Sequence, residues 1–489
     1  MSTLKKLFKD SIIYGIATVL PRVINFLLVR VHTDALPAER YAVNTDFYIW
    51  AALFAVLLTF GMETTFFRFY KKDEHKDNLV STTFISIAVL AGVFLLVFSL
   101  FFTEISSTLG FGTNPLRLRL FMFIMALDTL AMVPFAYLRA SNRPIRYAVI
   151  KLLNVAVIVL VQLLALRWLP NWIENGIILP EAIFLNYSKI STVNYIFVSN
   201  LLGSALSFIL LLPYLLKFKW SFDKILIRKM LRYSYPIVIA GLAYVVNENL
   251  DKFLIGKLIN KEKEGLYAAA YKLAIFMNLY IMAFRLGAEP FFFSISDSKN
   301  AKQTYAQIMK YFVIIGVVAL LGIVLFLDIF KSFINSDYWV ALEIVPVVLL
   351  ANLFLGIYHN LSIWYKLIDK TKYGMYFSIF GALITVVINL LFLEKIGIMA
   401  AAYATLIAYS SMGILSYFFG KKHYAIPYSL TKILSYLIIG ITLSFTSYYW
   451  VKPDIALSFG IILSFIAMIY YSERKEIKAL LYKPKMHHT

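Results

Sequence analysis

The chain has no cysteine in its 489 residues, and acidic residues are scarce, with 27 Asp and Glu against 47 Lys and Arg. The missing cysteine excludes disulfides and thiolate metal sites. The six His show no metal-ligand spacing, and no Walker loop is present. Glu63 and Glu289 resemble a carboxylate pair for acid-base chemistry, but they lie in different halves of the sequence with no nucleophile or His nearby. We therefore expect neither an enzyme nor a metal or cofactor site.

Hydrophobic residues are abundant, at 61% of the chain against 15% charged residues. The mean hydropathy is +0.76. Lipid can solvate this much apolar surface and a water-soluble fold cannot bury it, so we predict an all-α, polytopic membrane protein. Residues 1–11 carry three lysines and lead into an apolar stretch without a convincing cleavage site. A signal anchor that becomes the first helix is expected.

Apolar stretches of about 20 residues, the length needed to cross roughly 30 Å of hydrocarbon, recur along the chain. They predict about fourteen transmembrane helices, and because that number is even, both termini lie on one side. The predicted spans are 11–31, 46–67, 80–102, 117–138, 147–169, 191–216, 233–256, 266–293, 305–327, 340–362, 373–393, 397–419, 430–450 and 455–471.

Lysine and arginine are concentrated in the alternate loops on the side of the N-terminus. The positive-inside rule then places both termini in the cytoplasm and the loop 170–190 on the opposite side. The dense basic cluster at 217–232 is interpreted as a topology signal and interlobe linker that touches anionic membrane lipid. We do not expect a nucleic-acid partner, despite the formal net charge of +20.

An internal repeat appears when the chain is shifted by 226 residues. The pattern Gly-x-Glu-x-x-Phe-Phe at 61–67 then matches 287–293, and the Tyr-Ala pair at 41–42 matches 267–268. Six predicted helices separate the equivalents, so the repeats share one orientation and predict two parallel six-helix lobes. An N-terminal lobe, a C-terminal lobe and two added helices with a basic cytoplasmic tail are expected at 1–222, 223–422 and 423–489.

Basic residues inside the apolar stretches are the strongest functional signal. Each costs several kcal/mol at the bilayer centre unless it is paired or faces a hydrated cavity, so such residues usually mark a transport path. A cationic interior suits an anionic cargo. The six residues are Arg22, Arg30, Lys151, Lys252, Lys272 and Arg285.

Arg22 and Asn25 share one face of the first helix, about halfway through the membrane. A pyrophosphate group needs a planar bidentate donor, which arginine provides. The repeat also aligns Arg22 with Glu248 and Asn25 with Asp251, so an interlobe ion pair is the alternative. The two arrangements could alternate during a transport cycle.

The seventh predicted helix carries a charged face formed by Glu248, Asp251 and Lys252, with Asn247 and Asn249 beside them. Glu248 and Lys252 are spaced to neutralise each other. Asp251 and the amides would then be available to bind Na⁺, or Asp251 to bind a proton, in an ion-coupled carrier.

Further charges lie in neighbouring spans. Lys272 has no partner nearby in sequence and is a candidate cavity residue, whereas Arg285 has Glu289 four residues on and is expected to pair with it. Asp128 is an isolated acid in the fourth span, either a cavity residue or a proton site. Lys151 is expected to extend towards the membrane surface.

Glu63 and Glu289 lie near the predicted cytoplasmic ends of their helices, within reach of loops that hold Arg139 and Arg143 in one half and several lysines in the other. They are interpreted as latches of an inner gate or as plain helix-end ion pairs.

A basic N-terminal stub, a helix with a mid-membrane Arg, the Gly-Met-Glu-Thr-Thr-Phe-Phe-Arg-Phe segment at 61–69, two parallel lobes and two extra helices together resemble a known group. The chain resembles the multidrug/oligosaccharidyl-lipid/polysaccharide exporter superfamily. Within it, the chain is most similar to the polysaccharide-biosynthesis branch of Wzx-type O-antigen flippases, and less so to the lipid II flippases.

This resemblance implies a flippase in a bacterial inner membrane. Its cargo would be a polyprenyl-pyrophosphate-linked oligosaccharide, moved from the cytoplasmic to the periplasmic leaflet by alternating access for lipopolysaccharide O-antigen or other surface polysaccharide. A polysaccharide polymerase and other pathway proteins are implied as partners, with Na⁺ or H⁺ coupling. The alternatives are a multidrug exporter of the same superfamily, which should have an acidic cavity and twelve helices, and a membrane-embedded polysaccharide polymerase or ligase, which should carry a long periplasmic loop.

Overall fold

A computed structural model describes residues 3–70, 76–112, 114–177, 180, 190–368 and 370–481. Of these, 3–16, 18, 286, 289, 290 and 477–481 are described by their backbone alone. The described residues form helices joined by short loops and contain no strand, which confirms the predicted all-α class.

The first part of the chain, up to the middle of the sequence, forms eleven α-helices in the described residues. A π-helical turn, Leu164–Trp168, links α7 to α8. In chain order the helices are α1 Thr3–Ala35, α2 Ala38–Thr59, α3 Met62–Tyr70, α4 Lys76–Leu100, α5 Phe102–Thr108, α6 Pro115–Ala140, α7 Pro144–Leu163, α8 Leu169–Glu174, α9 Asn194–Leu215, α10 Lys224–Leu258 and α11 Lys261–Tyr271.

The rest of the chain continues after a short 3₁₀ turn at Lys272–Ala274. A second 3₁₀ segment, Ser336–Ile344, precedes α15, and a π-helical turn, Ser447–Val451, extends α19. The helices are α12 Ile275–Ser294, α13 Ala301–Leu325, α14 Leu327–Phe330, α15 Val345–Leu361, α16 Ile363–Leu367, α17 Lys372–Ile396, α18 Ile398–His423, α19 Leu430–Thr446 and α20 Ile455–Leu481.

Every predicted span overlaps one of these helices, and 12 helical segments of the described chain are long and apolar enough to cross a membrane. The helices α1 and α10, which are 33 and 35 residues long, are not among the 12. The predicted number of fourteen spans is therefore not confirmed. These two helices carry Arg22, Arg30, Glu248, Asp251 and Lys252, which are among the charges singled out above.

The chain divides into two compact units, which are described separately. Unit 1 consists of Met1–Lys272, Phe333–Ala341 and Gly374–Ala404. Unit 2 consists of Leu273–Ser332, Leu342–Tyr373 and Thr405–Thr489. The division into two lobes and a C-terminal pair of helices stays a prediction.

The core of the first half of the sequence is an aromatic cluster in unit 1. Phe47 of α2 stacks on Phe197 of α9 at 4.3 Å between ring centroids and meets Phe121 of α6 edge to face at 5.5 Å. All three rings are fully buried. Such contacts add to the dispersion energy that holds helices together in lipid, where apolar burial alone gives little driving force.

Helix α10 packs against first-half helices of unit 1 along its length. In the middle part of the helix, a Cβ added to Gly61 would lie 3.1 Å from Ile237, and near its end Phe253 contacts Trp50 at 5.6 Å between ring centroids. Asp223 caps the helix outside the apolar region. Leu226 N–H and Ile225 N–H donate to its side chain, which lowers the pKa of Asp223 below its ordinary value.

Unit 2 is built around α13, which packs against α15, α19 and α20. Small residues allow these helices to approach closely: a Cβ on Gly440 would lie 2.0 Å from Val317, and one on Gly316 would lie 2.4 Å from Leu353. Lys310 of α13 donates to Glu473 of α20 at 2.6 Å, so the last helix is joined to the core of the unit by a buried ion pair.

Candidate functional site

Unit 1 contains a partly open polar cavity of about 340 Å³ within the first half of the sequence. Helices α3, α6, α7 and α9 supply its wall. The polar side chains that line it are Glu63, Asp128, Tyr147, Lys151, Asn154, Asn200, Ser204 and Ser207. A volume of this size holds several water molecules or a small polar group.

Asp128 and Lys151 bring opposite charges to the same cavity. Within the described residues they form no ion pair with each other. The Ser204 hydroxyl is a hydrogen-bonding partner of the Asp128 carboxyl group, and the Lys151 ammonium lies 4.3 Å from the centroid of the Phe135 ring. Each charge is thus partly stabilised by its own neighbour and faces open space.

The amides of the cavity complete its hydrogen-bonding surface. Asn154 Nδ2 donates to Ser207 Oγ at 3.0 Å, and Asn200 Nδ2 donates to Tyr48 Oη at 3.2 Å. Lys151 balances the charge of Asp128, and Glu63 is paired with Arg139, so the cavity has the chemistry of a site for water, protons or neutral polyhydroxylated groups. It offers no concentration of positive charge for a pyrophosphate.

At the edge of the cavity, Arg139 Nη1 donates to Glu63 Oε1 at 2.6 Å. The side chains are 41% and 48% exposed, so the pair is well solvated. It joins α3 to α6, two helices of the first half of the sequence, and cannot hold the two halves together by itself. Arg143 lies 5.9 Å from the ring of Tyr137. The gate role of these residues stays a prediction.

The charged face of α10 forms a local network of hydrogen bonds and one ion pair. Lys252 Nζ donates to Asp251 Oδ1 at 3.1 Å and to the Glu248 carbonyl oxygen at 2.6 Å, and it lies 4.0 Å from the Tyr271 ring centroid. Tyr267 Oη donates to Asp251 Oδ2 at 2.7 Å. The carboxylate that neutralises Lys252 is therefore Asp251, whereas spacing in the sequence favours Glu248.

Asn247 is held by α17. Its Nδ2 donates to the Ser378 carbonyl oxygen at 3.0 Å, and its Oδ1 accepts from Thr385 Oγ1 at 3.3 Å. Asn249 Nδ2 donates to the Val245 carbonyl oxygen of the preceding turn. These oxygens and Asp251 lie on neighbouring turns of α10, but their predicted role in ion coupling is not tested by their present hydrogen bonds.

Two of the predicted cations have no acidic partner among the described residues. Arg22 and Asn25 are exposed on α1, and Lys272 is exposed at the 3₁₀ turn between α11 and α12. Over the described part of the chain, neither Arg22 nor Lys272 forms an ion pair, so no Arg22–Glu248 pair is present. Arg30, in contrast, pairs with Asp34 at 2.9 Å.

The expected pairing of Arg285 with Glu289 lies outside the described residues, because the side chain of Glu289 is not described. The predicted position of the loop 170–190 also falls largely outside the described residues, which include 170–177, 180 and 190 of this loop.

Sequence reasoning missed two buried clusters of charge. The α2–α11 cluster consists of Asp46, Lys261 and Glu264, and the α13–α20 cluster consists of Lys310, Lys432, Glu473 and Glu476. Lys310 lies inside the predicted apolar span 305–327, which is the same signal that singled out Arg22, whereas Asp46 is the first residue of the span 46–67. Their partners lie near span ends, where charged residues are ordinary, so the clusters are visible only when the helices are packed.

Comparison with known proteins adds to these observations. A family model described as polysaccharide biosynthesis protein matches residues 7–296, which is more than half of the chain and includes the polar cavity, α10 and α11. The chain belongs to the polysaccharide biosynthesis protein family. This membership agrees with the resemblance found in the sequence.

Solved structures show the fold of this family member. A structure of the lipid II flippase MurJ in an inward closed conformation aligns with a TM-score of 0.71 and 18% identity over 94% of this chain and 99% of the other. An inward-facing MATE multidrug resistance transporter of the MOP superfamily aligns with a TM-score of 0.66 and 11% identity over 88% and 99%. At these identities the likeness concerns the fold alone.

Two other proteins are similar. A MOP superfamily transporter from Pyrococcus furiosus aligns with a TM-score of 0.61 and 13% identity over 88% of this chain and 96% of the other. An uncharacterized membrane protein of Methanocaldococcus jannaschii is 24% identical over 201 residues, 40% of this chain. The chain spans about half the length of that curated relative, 47%. This family member is thus a multi-pass membrane protein with a transporter fold.

Proposed function

We propose that this protein is a flippase for a polyprenyl-pyrophosphate-linked oligosaccharide in surface polysaccharide biosynthesis. It carries the lipid from the cytoplasmic to the periplasmic leaflet of a bacterial inner membrane, with both termini in the cytoplasm, by alternating access. The family membership and the transporter fold support a carrier of a lipid-linked substrate.

The main support for an anionic cargo is that Arg22 is exposed and is not neutralised by an acidic residue of the described chain. Its side chain is exposed on a helix expected to span the membrane, and no acidic residue of the described chain neutralises it. Lys252 already has Asp251 as its partner, so it supports a cargo role less strongly. An unneutralised guanidinium in a membrane span needs either water or an anion, and a pyrophosphate supplies paired oxygens at the bidentate spacing of arginine.

Lys272 is the second unneutralised cation, and Asn25 lies one helical turn from Arg22. We place these two, together with Arg22 and Arg285, in the cargo path. We assign coupling to Na⁺ or H⁺ to Asp128 in the polar cavity. On α10 we assign it to Asn247, Glu248 and Asp251. Glu63, Glu289, Arg139 and Arg143 remain the proposed inner gate.

The experiment is transport of a lipid-linked oligosaccharide by purified protein in proteoliposomes, with Arg22→Lys, Arg22→Ala and the exposed control Arg167→Ala. A bidentate contact to pyrophosphate predicts strong loss of transport in both Arg22 variants at unchanged thermal stability, because lysine keeps the charge but not the planar donor pair. Arg167→Ala should transport normally.

Full transport by Arg22→Lys and Arg22→Ala would contradict the assignment of Arg22. Recovery of transport in the double variant Arg22→Ala/Glu248→Gln would instead show that the two residues pair in another state of the cycle. In cells, depletion of the protein should cause a lipid-linked intermediate to accumulate, and sequencing its glycan would identify the cargo. Normal levels of every lipid-linked glycan would contradict the flippase function.

A further inference from the structure

The α2–α11 cluster joins the first and second halves of the sequence within unit 1. Lys261 Nζ donates to Asp46 Oδ2 at 2.6 Å and to Glu264 Oε2 at 2.7 Å. The side chain of Glu264 is fully buried, and that of Asp46 is 2% exposed, whereas Lys261 is 36% exposed. Both carboxyl groups are therefore withdrawn from water, and one ammonium group serves both.

The charges of this cluster do not balance. One ammonium group can neutralise one carboxylate, and a second buried carboxylate would leave a net negative charge in a poorly polarisable surrounding. Lys257, near the end of α10, is the other cation that acts on Asp46, but it is exposed and forms no ion pair there within the described residues. A bound proton would remove the imbalance.

The hydrogen bonds of Glu264 point to the same conclusion. Glu264 Oε2 and Asp46 Oδ2 accept from the same ammonium nitrogen, at 2.7 Å and 2.6 Å, so two ionised carboxylates would repel each other there. Glu264 Oε1 is buried and accepts no hydrogen bond in the described structure. An ionised oxygen without a donor is costly in such a position, whereas a proton bound to the carboxyl group removes its charge.

We propose that Asp46 and Glu264 bind one proton between them while α2 and α11 are in contact, and that this proton is released when the two helices separate. The cluster is then a proton-binding site distinct from Asp128 and the charged face of α10. The proton leaves to water on the predicted periplasmic side, after which both carboxylates are hydrated and ionised.

The packing around the cluster makes the proton affinity depend on this contact. A Cβ on Gly265 would lie 1.9 Å from the Ala38 carbonyl oxygen, so α11 meets α2 backbone to backbone. A Cβ on Gly256 of α10 would lie 1.9 Å from Glu264 Oε2. No water fits at such distances, so any separation of these helices hydrates the carboxyl groups and lowers their affinity for the proton.

The sign of the pH effect follows from linkage. The closed contact binds the proton more tightly than the open one, so acid favours the closed contact and alkali favours separation, by up to about tenfold per pH unit. A role of the released proton in driving transport rests on the proposed function. The pH dependence of the contact between α2 and α11 is independent of that function.

The test uses the absence of cysteine in the native chain. Ala42→Cys, fully buried on α2 one turn before Asp46, reports separation by its rate of reaction with a maleimide in proteoliposomes. Its rate is divided by that of Glu39→Cys, exposed on the same helix, which corrects for thiol ionisation. We expect this ratio to rise on the order of tenfold per pH unit over part of the range between acid and alkaline buffer.

Glu264→Gln keeps the shape of the protonated carboxyl group and should hold the ratio low at every pH, and Asp46→Asn should do the same. Glu262→Gln, exposed on the same helix, should keep the full pH dependence. A ratio independent of pH in the parent chain, or an unchanged pH dependence in Glu264→Gln and Asp46→Asn, would overturn the proposal.

Infrared difference spectra supply a second measurement on the parent protein and both variants. The C=O band of a protonated carboxylic acid should be present in acid, disappear in alkali, and be missing from Glu264→Gln or Asp46→Asn, whichever variant folds. Persistence of the band in the folded variants would also contradict the site. Neither readout needs a lipid-linked cargo, so failed lipid transport with the expected pH response would reject the proposed function alone.

Discussion

The two buried clusters of charge differ in one respect, which is the ratio of ammonium to carboxyl groups. In the α13–α20 cluster two lysines face two glutamates, and Tyr436 Oη donates to Glu473 Oε1 at 2.7 Å. In the α2–α11 cluster one lysine faces two carboxyl groups, and one carboxyl oxygen has no donor. A balanced cluster gains nothing from a proton, whereas the unbalanced one does.

This difference separates a structural role from a proposed conformational one. The α13–α20 cluster lies within unit 2 and joins α19 and α20 to α13, so its charges would remain paired throughout the proposed transport cycle. The α2–α11 cluster joins the two halves of the sequence, which an alternating-access carrier must separate at one end. A fixed number of charges suits a cluster that holds helices together permanently. A number of charges that varies with protonation suits a contact that opens and closes.

The largest effect is expected from Lys310→Met in the α13–α20 cluster. Lys310 is 3% exposed on its side chain, and within the described residues its loss leaves the fully buried Glu473 paired with Lys432 alone. Removing one member of a buried pair costs about 3–5 kcal/mol. Thermal unfolding in detergent should show a large fall in Tm, with a smaller fall for the 38% exposed Lys432→Met. A Tm equal to that of the parent would show that the cluster does not stabilise the fold.

A smaller and pH-dependent effect is expected from Lys261→Met in the α2–α11 cluster. The two remaining carboxyl groups have no cation beside them in the cluster and can reduce their charge by taking up protons. In the other cluster Glu473 keeps Lys432 as a partner, so protonation stabilises it less. The loss of Tm should therefore be small in acid and grow as the pH rises. Lys263→Met on the same helix serves as the control and should show little change. Equal losses at acid and alkaline pH would remove the distinction between the clusters.

Glu63→Gln should change stability less than either. The Glu63–Arg139 pair is about half exposed, and solvated pairs contribute about 0–1 kcal/mol. If the pair latches the inner gate, the variant should favour the inward-open state and slow transport with little change in Tm. Glu39→Gln, exposed on α2, is the matched control. Normal transport with unchanged accessibility of cytoplasmic cysteines would reject the gate role.

The smallest effect on stability is expected from Asp128→Asn. Its carboxyl group faces the cavity, forms no ion pair in the described residues and keeps Ser204 as a hydrogen-bonding neighbour after substitution. Transport, however, should lose its dependence on pH or Na⁺ if Asp128 couples the cycle. The measurement is transport against an imposed ion gradient. An unchanged response would remove Asp128 from the coupling residues and leave those of α10.

Individual residues show how far sequence reasoning reaches. Asp128 was recognised as unusual because an acid in an apolar span is costly wherever the span packs. The sequence does not show that Asp128 shares a cavity with Lys151. The two residues lie on different helices, and they become neighbours only when α6 and α7 pack. The same holds for Lys252, whose neutralising carboxylate is Asp251 next to it, although helical spacing favours Glu248.

The sequence by itself determined the all-α membrane class and the placement of helices at the apolar stretches, because hydrocarbon length and hydropathy act on each segment independently of its neighbours. Its motifs and architecture also indicated the family. Only the tertiary structure decided which charges are paired. Whether a buried lysine or carboxyl group is neutralised depends on atoms within about 4 Å, a distance over which screening is weak and partners come from any helix. That is why Arg22 and Asp46, which the sequence shows only as charges in the middle and at the start of apolar spans, differ once folded. Arg22 is exposed without an acidic partner in the described residues, and Asp46 is buried against Lys261.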